Sequence, residues 1–128
     1  MPVAAMQNME SCIVVGAGIS GLLAARRLKE SGVSVTILEK SRGVGGRMAT
    51  RRFNDVNFDP GAQFMTTRER IFREMVENWM EKGLVRPWYK GPLGNMRYVG
   101  VSGMTTVPKF LAQDLDIRLQ HEVKKISY

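Results

Sequence analysis

The residues whose types and spacing point to chemistry are three glycines and one acid. Gly16, Gly18 and Gly21 stand in the pattern G-x-G-x-x-G, with Ala17, Ile19 and Ser20 between them. Glu39 follows 18 residues after the third glycine. An apolar run, Ile13-Val14-Val15, leads into the first glycine, and helical periodicity follows the third. That order is what a nucleotide diphosphate site needs. Gly16 allows a tight turn out of a strand, and Gly18 lets backbone approach a pyrophosphate. Gly21 lets the following helix lie against the strand. The helix N-terminus then presents free N–H groups and a positive dipole end to phosphate oxygens. A glycine turn alone says little, since such turns are common. Here it sits between a strand and a helix and is followed by an acid.

The elements that must position these residues can be read on either side of them. Ser11–Gly16 is a continuous apolar run, as expected for a strand buried on both faces. A helix is predicted from about Ser20 to Ser31. Leu22, Leu23, Ala25 and Leu28 would face a sheet, and Arg26, Arg27, Lys29 and Glu30 would face water. Gly32 is placed as a helix terminator. Val33–Leu38 alternates as a second strand, and Glu39 falls at its carboxyl end, where parallel sheets bind ligands. Strand, helix and strand in this order predict an α/β, Rossmann-like fold with a partial parallel sheet. A carboxylate at Glu39 would accept both ribose hydroxyls of an adenosine and would repel a 2′-phosphate, which disfavours NADP.

A second glycine loop follows at once, Lys40-Ser41-Arg42-Gly43-Val44-Gly45-Gly46-Arg47. A plain NAD dehydrogenase domain would continue into another helix and parallel strand. Here Gly45 and Gly46 would let backbone pass under a bulky ligand, and Arg47 would offer a permanently charged fork to a pyrophosphate. Short extended pieces are predicted at Met48–Phe53 and Asn57–Phe58 around Asn54-Asp55. In Asp59-Pro60-Gly61-Ala62-Gln63-Phe64, Gly61 and Ala62 are small enough for a flat ring to rest on the backbone. Thr66-x-x-Glu69 matches a capping box for a helix over 67–82, with Ile71, Phe72, Met75, Val76 and Trp79 as its apolar stripe. Short strands are expected near Trp88-Tyr89 and Arg97–Val101, then a short helix from Thr106 to about Gln113. Asp116–Leu119 and Glu122–Ser127 alternate as half-buried strands.

Composition narrows the classes. The 44% apolar and 24% charged content is that of an ordinary globular protein. The single Cys12 cannot form an internal disulfide and reads as a small buried hydrophobe in a strand. A net charge of +7 invites a nucleic-acid reading, but the basic residues are scattered, with no basic run interleaved by aromatics. No apolar stretch is long enough to span a bilayer, and residues 1–10 read as a loose leader without signal-peptide features. Neither nucleic acid nor membrane is expected as a partner, and a cytoplasmic location is expected. One His and one Cys cannot make a zinc cage, so no metal is expected. A Ser-His-Asp triad would depend on His121, which has no nucleophile signature beside it.

Taken together, V-V-G-A-G-I-S-G, V-T-I-L-E-K-S-R-G-V-G-G-R-M-A-T, F-D-P-G-A-Q-F-M-T and V-S-G-M-T-T-V-P-K-F-L-A resemble the N-terminal part of the FAD-dependent amine-oxidase-type flavoproteins, and most of all their renalase-like branch. The resemblance implies the N-terminal part of a two-domain flavoprotein fold. Residues 11–128 would be the FAD-binding domain, with 64–105 a partial substrate-side insertion. It implies FAD as cofactor, its ADP half held by Gly16, Ala17, Gly18, Ile19, Ser20, Gly21, Glu39 and Lys40. Gly46 and Arg47 would approach the pyrophosphate, and Gly61, Ala62, Gln63 and Phe64 would lie against the isoalloxazine ring. Val123 would bring its backbone to the adenine. The implied chemistry is hydride transfer from a small-molecule donor, a dihydronicotinamide or an amine, to the flavin and then to oxygen. Such flavoproteins are more than twice this long, which implies an incomplete catalytic unit and an open sheet edge able to pair with a second copy. A non-catalytic dinucleotide-binding module and an NAD-dependent dehydrogenase domain are the alternatives.

Overall fold

Strand β1 (Ser11–Val15) pairs in parallel with β2 (Ser34–Leu38), and β2 pairs in parallel with β7 (Asp116–Arg118), in a computed structural model that describes residues 10–128. The leader expected over 1–10 lies, except for Glu10, outside the described residues. Helix α1 (Ile19–Glu30) connects β1 to β2 and makes the crossover that a parallel pair requires. The three strands lie in the order β1-β2-β7. The chain divides into two compact units, one comprising residues up to Gly46 together with Leu111–Tyr128, the other Arg47–Phe110.

In the first unit, α1 buries Leu22, Ala25 and Leu28, three residues on one helical face. Leu28 and Val33 are packed by Cys12, Val14 and Val35 from the sheet. Fully burying each such leucine is worth about 2 kcal/mol. Gly32 follows the helix as expected, and Val33 N–H closes back on the Leu28 carbonyl at 3.1 Å. Two expectations change here. Ile13 and Val15 are 65% and 57% exposed, because α1 covers only the Cys12/Val14 face of β1. Arg26 does not simply face water. Its guanidinium donates to the carbonyls of Leu111 and Gln113 at 3.3 and 3.4 Å, and Lys29 donates to the Asp114 carbonyl.

The second unit holds two antiparallel hairpins and a helix. Strands β3 (Arg51–Phe53) and β4 (Val56–Phe58) meet across Asn54 and Asp55, both with positive φ, at 46° and 64°. Two such residues make the tight turn whose twist suits a hairpin. Helix α2 (Arg70–Glu81) begins three residues later than the capping-box pattern implies. The Glu69 carboxylate caps it, accepting from Ile71 and Phe72 N–H at 2.9 and 3.4 Å. Of the predicted stripe, Val76 and Trp79 are buried and Ile71 is exposed. Strands β5 (Val85–Lys90) and β6 (Met96–Gly100) form the second hairpin. Helix α3 (Thr106–Leu111) ends two residues short of Gln113.

The strand expected over Glu122–Ser127 does not form, and residues 121–128 have no regular structure. A strand needs a neighbour for its N–H and C=O groups, and among the described residues none pairs with this segment. No helix among the described residues is long and apolar enough to cross a membrane.

Candidate nucleotide site

Gly16 leaves β1 with φ +99°, a conformation that side-chain-bearing residues rarely adopt, and its N–H still bonds the Leu38 carbonyl at 2.8 Å. Gly21 then enters the first turn of α1. A Cβ on it would stand 2.0 Å from the Gly16 carbonyl oxygen, so helix and strand approach this closely only because Gly21 has no side chain. Gly18 is the N-cap of α1 and supplies no side-chain cap, and the first turn contains no acidic residue. No side chain of the helix's own first turn therefore offsets its positive end. A Cβ on Gly18 would meet nothing within 4 Å, so its side of the loop is open.

Glu39 is the buried polar residue of the described core, 6% exposed. Its Oε2 accepts from the Ala17 N–H at 2.6 Å, and its Oε1 from the Ser41 N–H at 2.8 Å. Its own N–H bonds the Arg118 carbonyl at 3.0 Å, and its carbonyl accepts from the His121 N–H at 2.9 Å. The carboxylate is thus held at both ends. Burial pushes its pKa up, but the Ala17 and Ser41 donors, with Lys40 nearby, outweigh that and hold it below the ordinary 4.5. The position of Glu39 in the sequence favours a ribose-binding role over that of a solvated strand-end acid. In the structure its carboxylate also ties the first glycine loop to the end of β2.

The second glycine loop is joined to the first. Gly45 N–H bonds the Ala17 carbonyl at 2.8 Å, and Gly45 forms a parallel bridge with Gly18. This link between loops, and the part played by His121, escaped the motif reading. The signal available was position alone, since His121 follows β7 and ligands gather at the carboxyl ends of parallel strands. A cleft of about 330 Å³ opens there, lined by Val15, Gly16, Leu38, Glu39, Lys40, His121, Glu122 and Val123. Of the sequence-predicted residues, the structure brings Gly16, Glu39, Lys40 and Val123 together around it. Ala17 is buried behind the loop, and Ile19 and Ser20 open α1.

These features fit the ADP half of a dinucleotide. Uncapped N–H groups face an open glycine edge, and the Glu39 carboxylate, with the Ala17 and Ser41 N–H groups and the Ser41 hydroxyl on it, keeps one further lone pair.

The remaining candidates belong to the second unit, apart from Gly46, which closes the first. The Arg47 side chain is exposed, with no hydrogen bond or ion pair among the described residues, and its carbonyl accepts from Ala62 N–H at 2.8 Å. A Cβ on Gly61 would lie 2.1 Å from that same carbonyl. The smallness of Gly61 thus serves the chain's own packing. Gln63 is exposed, and the face of the Phe64 ring is covered by the Arg97 guanidinium at 4.2 Å from its centroid.

A family model described as NAD(P)-binding Rossmann-like domain matches residues 14–79. The chain belongs to that family. Its similarity within it is to the nucleotide-binding domain of amine oxidases. An L-amino-acid oxidase of Sistrurus catenatus edwardsii is 41% identical over 75 residues, 59% of this chain and 14% of that protein. The flavin-containing amine oxidase B of Mus musculus is 42% identical over 78 residues, 59% of this chain and 15% of that protein. A solved double mutant of putrescine oxidase superposes with a TM-score of 0.51 at 31% identity, covering 71% of this chain and 21% of that one. The matched region is thus about a seventh of the length of these curated relatives.

Proposed function

We propose that this chain is the FAD-binding portion of a flavin-dependent oxidoreductase of amine-oxidase type, closest to the renalase-like branch. One observation carries the proposal: an uncapped helix N-terminus and a fixed carboxylate share one unit at the carboxyl ends of parallel strands. The flavin named in the mouse relative, and the Gly-Gly-Arg sequence after Glu39, favour FAD over NAD. Bound FAD would supply a ring able to accept hydride and pass electrons to oxygen.

The chain's own residues bind and orient. N–H groups at Gly18, Ile19, Ser20 and Gly21 hold the diphosphate, and Gly16 turns the backbone towards it. Glu39 accepts a ribose hydroxyl through its remaining lone pair, while Lys40 and the Val123 backbone border the adenosine. Gly46 and Arg47 serve the pyrophosphate, and Gly61, Ala62, Gln63 and Phe64 serve the ring. The donor is a small dihydronicotinamide or amine. A cytoplasmic location belongs to the same proposal. So does self-association, supported by β1 and β7 standing at the sheet edges among the described residues.

Separate titrations with FAD and NAD, following the melting temperature, test it. FAD at a hundred times its Kd stabilises by about 2.7 kcal/mol, while NAD has a much smaller effect. A rise with NAD and none with FAD would overturn the assignment in favour of a dehydrogenase domain.

A further inference from the structure

The second unit contains a cleft of about 550 Å³ that shares only Gln63 with the residues assigned to the flavin. Arg86 and Trp88 of β5 both line it, and Val99 lies opposite Arg86 across the ladder. Phe58 and Gln63 also line it. Trp88 and Phe58 are 48% and 45% exposed, an apolar pair beside an open cavity. Arg86 has no acidic or hydrogen-bonding partner among the described residues, and neither has the Gln63 carboxamide.

Asp59 also borders the cleft, but its Oδ1 is committed to the chain. It accepts the Thr50 hydroxyl at 2.6 Å and the Met104 N–H at 3.1 Å. Those bonds fasten one wall. Reciprocal backbone bonds between Met65 and Tyr98, at 2.8 and 2.9 Å, fasten Gln63's segment to β6. The walls are thus set before any ligand arrives.

We infer that this cleft binds a flat conjugated ring carrying a carboxylate. The ring lies against Trp88 and Phe58, and Arg86 pairs with the anion. An arginine fork matches a carboxylate with two parallel hydrogen bonds, and a water-exposed aromatic face gains by being covered. Gln63 adds a neutral donor and acceptor to the lining. The inference does not depend on the cofactor assigned above.

Nuclear magnetic resonance on the flavin-free chain tests it, with 2-naphthoate, 2-naphthamide and inorganic phosphate as probes. The expected result is a saturable shift of the Trp88 indole N–H, with naphthoate binding about tenfold more tightly than naphthamide, as one charge-assisted contact requires. Arg86→Gln, at an exposed position, abolishes that preference while leaving the spectrum dispersed and naphthamide binding intact. Equal affinity for the two naphthalenes would overturn the inference. So would phosphate shifting Trp88 as strongly as naphthoate, or naphthoate shifts confined to residues near Gly18. Because no probe contains a dinucleotide, failure here leaves the FAD proposal standing, and the reverse also holds.

Discussion

Replacing Glu39 by Gln tests the double role of this buried acid. The carboxylate accepts two backbone N–H groups, Ala17 at 2.6 Å and Ser41 at 2.8 Å. A carboxamide keeps one acceptor oxygen and turns an NH2 towards the other donor. Ala17 is fully buried, so an N–H orphaned there has no water to turn to. Losing one charge-assisted bond and stranding its donor costs about 2–3 kcal/mol. For a chain of this size that lowers Tm by roughly 8 °C. The pH dependence gives a sharper criterion. The folded pKa of Glu39 lies below 4.5, so its contribution is present above that value and is lost as pH falls through the folded pKa. Urea denaturation of the natural chain and of E39Q should therefore differ fully at neutral pH and converge in acid. A gap that stays constant into the acid range, or no gap at neutral pH, would refute the bonding described for Glu39.

Gly21→Ala places a Cβ 2.0 Å from a backbone carbonyl that no rotamer change can move, so α1 must lift from β1. The expected loss is about 1–3 kcal/mol, read as a lower Tm. Gly18→Ala is the contrasting case: its Cβ meets nothing, so stability is retained, but the rise of Tm with FAD is lost. Glu69→Ala removes the cap of α2 and costs about 1 kcal/mol in urea denaturation, whereas Thr66→Ala leaves the midpoint unchanged.

The β1-α1-β2 unit was legible because its information is local. Apolar runs, helical periodicity and glycines at the corners each constrain neighbours in the chain, and the structure follows them within one or two residues. The Asn54-Asp55 turn was legible for the same reason. Pairing is different. Alternation over Glu122–Ser127 describes a segment able to face two ways, but it carries nothing about whether another strand is present to bond it. Apolar β1 was likewise read as doubly buried, although Ile13 and Val15 remain open on the face away from α1. The α2 boundary shifted because Thr66-x-x-Glu69 has two possible caps, and the carboxylate of Glu69 took the first-turn donors itself.

At the site, the motif gives its residues a ligand role, and the structure adds bonds among them. It assigned the second glycine loop and Glu39 to a ligand. The structure uses Gly45 to bond Ala17, and Ala17 to bond Glu39, closing the segment after β2 onto the loop after β1. Ala17 and Glu39 are 22 residues apart, and no periodicity spans such a contact. What remains free for a ligand is smaller than the motif suggests: the uncapped start of α1, the open side of Gly18 and one remaining lone pair of Glu39. A loop already tied from behind loses little conformational freedom when a diphosphate binds in front of it. The bonds that withdraw Gly45 and part of Glu39 from direct contact therefore favour nucleotide binding by holding the binding groups in place beforehand.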